Sequence, residues 1–133
     1  MDDLIDLTYS LRKPYRGKGV FIMSYGAYME LRKIKTANGR YPWNLDLVKD
    51  GYDTLFGYRV YVSKYLDNIA PGSKCILFGD FSYFWIGDRG KRIVKLLAER
   101  YADYGQVGFI TSERVDAKLV LPEAVKVLQV RAA

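Results

Sequence analysis

The chain has 133 residues, one cysteine, no histidine, and 21 basic against 15 acidic groups, a net charge of +6. The missing histidine excludes a Ser-His-Asp triad, a Cys-His dyad and His-ligated zinc, and the lone Cys75 excludes an intrachain disulfide or a Cys-rich metal centre. Half the residues are hydrophobic and 27% are charged, a globular composition long enough for one core. Residues 1–66 carry 11 basic and 7 acidic groups and residues 67–133 carry 10 and 8, so no basic block marks a nucleic-acid tail. No apolar run approaches the ~20 residues a membrane helix needs, and the acidic start Met1-Asp2-Asp3 is unlike a signal peptide. A soluble, cytoplasmic protein is expected, without membrane contact.

In chain order, Asp2 or Asp3 can cap a first helix whose Leu4, Leu7 and Leu11 share one face. The helix should stop before Pro14, and Tyr15 to Lys18 reads as a basic turn. Val20-Phe21-Ile22-Met23 is a short apolar run, the signature of a strand covered on both faces. Ser24 can cap a second helix with Ala27, Tyr28, Leu31 and Ile34 inside, Arg32 outside, and Asn38-Gly39 as its stop. From Arg40 to Gly57 a surface loop is expected, with one helical turn at Leu45–Val48. Tyr58 to Ser63 alternates as a half-buried strand with Tyr58, Val60 and Val62 on one face.

Ala70-Pro71-Gly72-Ser73 is a turn, and Cys75 to Phe78 is another apolar strand. Phe81 to Ile86 is rich in aromatics that should mostly be core, and Gly87-Asp88-Arg89-Gly90 is a tight-turn signal. Lys91 to Leu97 reads as a strand. Val107 to Leu121 is an extended strand or hairpin, bent at Val115-Asp116-Ala117. One turn at Glu123–Val125 and a last strand at Val127–Val130 complete the chain. The class is α+β (mixed α/β): a single mixed sheet with two or more helices packed on it and long C-terminal strands.

Candidate chemistry is sparse. Asp46, Asp50 and Asp53 lack the spacing of a calcium loop and suit turn hydrogen bonds. Gly17-Lys18-Gly19 and Gly87-Asp88-Arg89-Gly90 match no phosphate-binding motif. Cys75, with no base to activate it, reads as a buried structural thiol. No catalytic, cofactor-binding or metal-binding residue is expected. The densest charged cluster is Asp88, Arg89, Lys91, Arg92 and Lys95, beside Tyr83, Phe84 and Trp85. It is the candidate for a subunit-facing or DNA-facing surface, since aromatics interleaved with basic groups can stack on and neutralise a single strand. Twelve tyrosines point toward protein–protein contact.

Four stretches, in order, resemble tailed-bacteriophage major capsid proteins of the Hong Kong 97 fold family. They are Leu31-Arg32-Lys33 leading to Asn38-Gly39-Arg40-Tyr41, Thr54 to Val60, Leu77 to Arg92, and Leu121 to Leu128. The resemblance implies an axial-domain-like region over residues 1–104 and, over 105–133, C-terminal strands returning toward a peripheral domain. It also implies that the family's N-terminal arm, extended loop and spine helix would lie before Met1. Some members form a lysine–asparagine cross-link assisted by a glutamate. The lysine's loop has no counterpart here, and the other two positions fall on Gly105 and on Ser112, next to Glu113, so no catalytic residue carries over.

The resemblance therefore implies a structural virion protein whose partners are other copies of the capsid subunit, with packaged DNA touched at most non-specifically. It would be made in the host bacterial cytoplasm and end in the virion, with no small-molecule substrate and no cofactor. A small basic nucleic-acid-binding module and an assembly-defective capsid remnant are the alternatives.

Overall fold

The computed structural model describes residues 1–39, 41 and 52–132. The expected helical turn at Leu45–Val48, with Asp46 and Asp50, lies outside the described residues. By its contacts the chain divides into two units, residues 1–83 with 121–133, and residues 84–120.

The first unit begins with α1 (Asp2–Ser10) and α2 (Lys13–Arg16). Asp2 and Asp3 lie in the first turn of α1 and make no side-chain cap bond; they act instead through their charge at the positive helix end. Leu4, Leu7 and Leu11 are buried as the leucine spacing requires. Pro14 does not merely stop α1; it opens α2, where its missing N–H costs nothing. Arg16 reaches back from α2 to the end of α1. Its Nη2 donates to the Leu11 carbonyl at 2.8 Å, and its guanidinium lies 4.6 Å from the centre of the Tyr9 ring.

Strand β1 (Val20–Ser24) runs into α3 (Tyr25–Lys33), and the Ser24 hydroxyl accepts the Ala27 N–H as an N-cap. The helix ends five residues before Asn38, because Ile34 is already extended and its N–H bonds the Leu31 carbonyl. Gly39 instead serves a separate turn at φ +73°. Ala27 is buried, while Tyr28, Leu31 and Ile34 are half-buried.

Strands β2 (Thr54–Leu55) and β3 (Tyr58–Ser63) form a hairpin through Phe56 and Gly57, both at positive φ, 53° and 80°. Strand β4 (Lys74–Gly79) follows a turn in which Ser73 N–H bonds the Ala70 carbonyl and Gly72 has φ +81°. Strand β9 (Val125–Gln129) enters after a short 3-10 turn at Pro122–Ala124. The Ala70–Ser73 turn is tied to the end of β9 by Gly72 N–H to Val130 O and Val130 N–H to Ser73 O, both 2.9 Å.

These strands make one mixed sheet in the order β2-β3-β1-β4-β9. Only β1 and β3 are parallel, and the connection between them contains α3, as a parallel pair demands. Phe21, Met23, Val60, Ile76 and Phe78 share the inner face with Leu4, Leu7, Leu11 and Ala27. At its centre the Phe21 and Phe78 rings lie 4.4 Å apart, with Tyr58 edge-on to Phe78 at 5.0 Å.

The opposite face is less covered than the apolar run in β1 suggests. Tyr61, Ile22, Leu77 and Val127 stand in one row across β3, β1, β4 and β9. Ile22 and Leu77 are half-buried and Tyr61 and Val127 exposed. Val62, expected inside with Tyr58 and Val60, is also exposed.

The second unit is a two-stranded antiparallel ribbon. One leg is β5 (Phe84–Asp88) and β6 (Ile93–Leu97); the other is β7 (Gly108–Ser112) and β8 (Val115–Leu119). β5 pairs with β8 and β6 with β7. Residues 107–121 are thus one extended leg, interrupted at Glu113-Arg114 rather than bent at 115–117. The ribbon turns back through residues 98–107, which contain a 3-10 turn at Ala102–Tyr104 ended by Gly105 at φ +64°.

Candidate functional site

The charged cluster sits where the two ladders of the ribbon meet. From Asp88 to Ile93 the first leg spends four residues between strands, whereas the second leg spends only Glu113 and Arg114. The surplus is taken up as a bulge, which Gly90 permits with φ +89°. Gly87-Asp88-Arg89-Gly90 therefore does not reverse the chain. β5 runs through Gly87 and Asp88, and Arg89 N–H still bonds the Arg114 carbonyl at 2.9 Å.

The bulge is clasped by charge. Arg92 Nε donates to Glu113 Oε1 at 2.7 Å, and Arg92 Nη2 lies 3.9 Å from Asp88 Oδ2. Two members of the cluster, Asp88 and Arg92, are thus engaged with one another, and Arg92 also with Glu113. Arg89, Lys91 and Lys95 are exposed, and Lys95 stands in β6 opposite Ile110. A hollow of about 200 Å³ opens beside the bulge, lined by Arg89, Lys91, Ser112, Glu113 and Arg114. Residues 84–120 hold seven basic and five acidic groups, so the ribbon carries no concentrated positive field. The Arg92–Glu113 link escapes sequence reading because it depends on strand register; the i,i+4 spacing of Asp88 and Arg92 was the only local signal.

The neighbouring aromatics are not core. Phe84 and Trp85 are exposed, Trp85 to 63%, and only Phe81 and Tyr83 are half-buried. Phe84 and Trp85 lie on β5, where successive side chains point to opposite faces, so burial cannot follow from hydrophobicity alone. The same holds for Ile86, Val94, Leu96 and Phe109, each at least 60% exposed. Large exposed apolar surface of this kind marks interaction sites.

Among the described residues nothing else gathers into a reactive centre. Cys75 is free and buried, and burial pushes its thiol pKa up, away from the reactive thiolate. Asp53 accepts a hydrogen bond from the Tyr28 hydroxyl, which also receives one from Arg32. Among the described residues no three His, Cys, Asp or Glu side chains come together as metal ligands, and no helix is long and apolar enough to cross a membrane. Gly105 caps a turn and Ser112 ends β7, while Glu113 is held by Arg92.

A family model described as the phage capsid family matches residues 1–130. No curated protein matches the chain. Among solved structures, the capsid of an empty GTA particle is 30% identical and superposes with a TM-score of 0.84, covering 98% of this chain and 44% of that one. The capsid of the native GTA particle gives 30% identity and a TM-score of 0.85 with the same coverage. A chain from Mycobacterium phage Ogopogo, 13% identical with a TM-score of 0.59 over 94% of this chain and 46% of its own length, shares the fold. The chain spans less than half the length of each of these three chains. With the family model matching it nearly end to end, the chain belongs to the phage capsid family.

Proposed function

We propose that the chain works as part of a major capsid subunit, tiling with other copies into the shell of a phage-like particle. The observation that carries this reading is the family match over residues 1–130 together with near-complete superposition on the capsids of GTA particles. The exposed apolar ribbon fits the reading, because part of a capsid subunit hides such surface against the rest of that subunit or against its neighbours. The role is mechanical, and no catalytic step is needed for it. Its partners are other capsid subunits. Asp88, Arg89, Lys91, Arg92 and Lys95 lie on a surface that faces a neighbouring subunit, and packaged DNA is touched at most non-specifically. The protein is made in the host bacterial cytoplasm and ends as a virion component.

Grafting tests this. The chain is substituted for the matching part of the GTA capsid subunit, and the chimera is examined by sedimentation and electron microscopy. Shell-sized particles are the expected result. A folded chimera that stays dispersed under conditions where the parent forms shells overturns the reading.

A further inference from the structure

We propose that the free edge of β8 is a self-complementary pairing site for a second copy of this chain. The pairing is antiparallel, about a two-fold axis at Ala117. The geometry begins with the ladder inside the ribbon. Arg89 N–H bonds the Arg114 carbonyl, and the β5–β8 register continues from that pair as Asp88 with Val115, Gly87 with Asp116 and Ile86 with Ala117. Hydrogen-bonded and non-bonded pairs alternate along an antiparallel ladder. Asp116 and Lys118 therefore spend their backbone groups on β5. Val115, Ala117 and Leu119 turn theirs outward to the open edge.

That edge is matched to itself. An antiparallel partner centred on Ala117 sets Ala117 against the second copy's Ala117, and Val115 against its Leu119. All three outward residues meet their equivalents as hydrogen-bonded pairs. The intervening positions set Asp116 against the second copy's Lys118, and Lys118 against its Asp116. They do so at the closer, non-bonded spacing where opposite charges across strands attract. One symmetry operation thus satisfies the backbone, the apolar pairs and both charge pairs, as a closed two-fold interface requires. The edge of β5 has no such match, since the same operation about Ile86 sets Phe84 against Asp88.

The lone chain shows how the edge waits. The Ala117 N–H, one of the outward donors, is covered by its neighbour's carboxylate, Asp116 Oδ1, at 2.8 Å. On pairing, that N–H passes to the second copy's Ala117 carbonyl and the carboxylate turns to the second copy's Lys118. Asp116 shields an open strand edge in the monomer and becomes a cross-strand partner in the dimer.

Sedimentation equilibrium on the full 133-residue chain, over a wide concentration range, reads the pairing. The parent dimerises. Asp116→Lys and Lys118→Asp each set like charges opposite one another twice and weaken the dimer by about tenfold or more. The double variant D116K/K118D recovers to within about threefold of the parent, and an equimolar mixture of the two single variants forms a heterodimer. Hydrogen exchange on the unmodified chain gives a reading independent of any variant: the Val115, Ala117 and Leu119 amides gain protection as concentration rises. A parent that stays monomeric, single variants that dimerise like the parent, a mixture that fails to associate, or edge amides whose exchange ignores concentration each overturn the proposal. None of these outcomes bears on shell formation by the grafted subunit, so the two readings fail separately.

Discussion

Gly19 lies close against the ring of Phe78: a Cβ at position 19 would stand 2.7 Å from Phe78 Cζ and 3.1 Å from the Arg16 carbonyl oxygen. Phe78 is fully buried between Phe21 and Tyr58 and has nowhere to retreat. Gly19→Ala should therefore destabilise the fold by about 1–3 kcal/mol through overpacking. Gly17→Ala, two residues away with open space around it, should change little. Urea titrations of both variants check this, and equal midpoints would contradict it.

Core truncations should rank by burial. Phe78→Ala empties the middle of the aromatic cluster and should cost about 3–5 kcal/mol. Leu31, placed on the inner helix stripe by its spacing, is only half-buried, so Leu31→Ala should cost about 1–2 kcal/mol. Arg32→Ala, silent if Arg32 only faced solvent, removes a donor to the Tyr28 hydroxyl and should cost about 1 kcal/mol. The same denaturant titrations order the three.

Stability should fall on the alkaline side. Burial raises the Cys75 thiol above its ordinary 9.0. Burial, then the hydrogen bond to Asp53, raise the Tyr28 phenol above its ordinary 10.0, with Arg32 opposing. The folded chain holds these protons at pH values where the unfolded chain releases them. The stabilisation is full below the ordinary values and is lost as pH rises through the raised folded ones. Unfolding free energy measured from pH 8 upward should decline first in a step that Cys75→Ala removes, then in one that Tyr28→Phe flattens. A parent whose stability is level across that range would refute this.

The hairpin between β2 and β3 asks for a residue that tolerates positive φ at its first turn position, and Phe56 occupies it at 53° while 46% exposed. Asn-Gly is the preferred pair for such a turn. Phe56→Asn should raise stability by about 0.5–1 kcal/mol by relieving the left-handed strain. A lower thermal midpoint would show that the Phe56 ring contributes more by packing than its backbone costs.

What the sequence revealed follows from which signals are local. The leucine stripe of α1, the Ser24 cap, and the strands at Val20, Tyr58 and Cys75 are all written in nearest-neighbour patterns, and each forms where its pattern lies. Asn38-Gly39 misled because a strong stop signal marks where a helix must end by, while Ile34 had already left the helix. The aromatic stretch at Phe81–Ile86 misled for a different reason. Hydrophobicity predicts burial somewhere, and for Trp85 and Ile86 that place is not inside this chain. The clasp of Arg92 by Glu113 was invisible because 21 residues and a strand register separate the two.

The interruption of the main sheet by the ribbon imposes an order in time. β4 and β9 are neighbours in space, yet residues 80–124 lie between them in sequence. Lengthening such a connection costs little at equilibrium, about 0.6 kcal/mol per doubling. During synthesis the constraint is harder. The ribosome releases β4 with one side unpaired, and the strand that covers it emerges only after the whole ribbon. For that interval the nascent chain offers its neighbours an open sheet edge at Cys75–Gly79, so crowding of many copies on one message is the setting in which this fold is most exposed to pairing with the wrong strand.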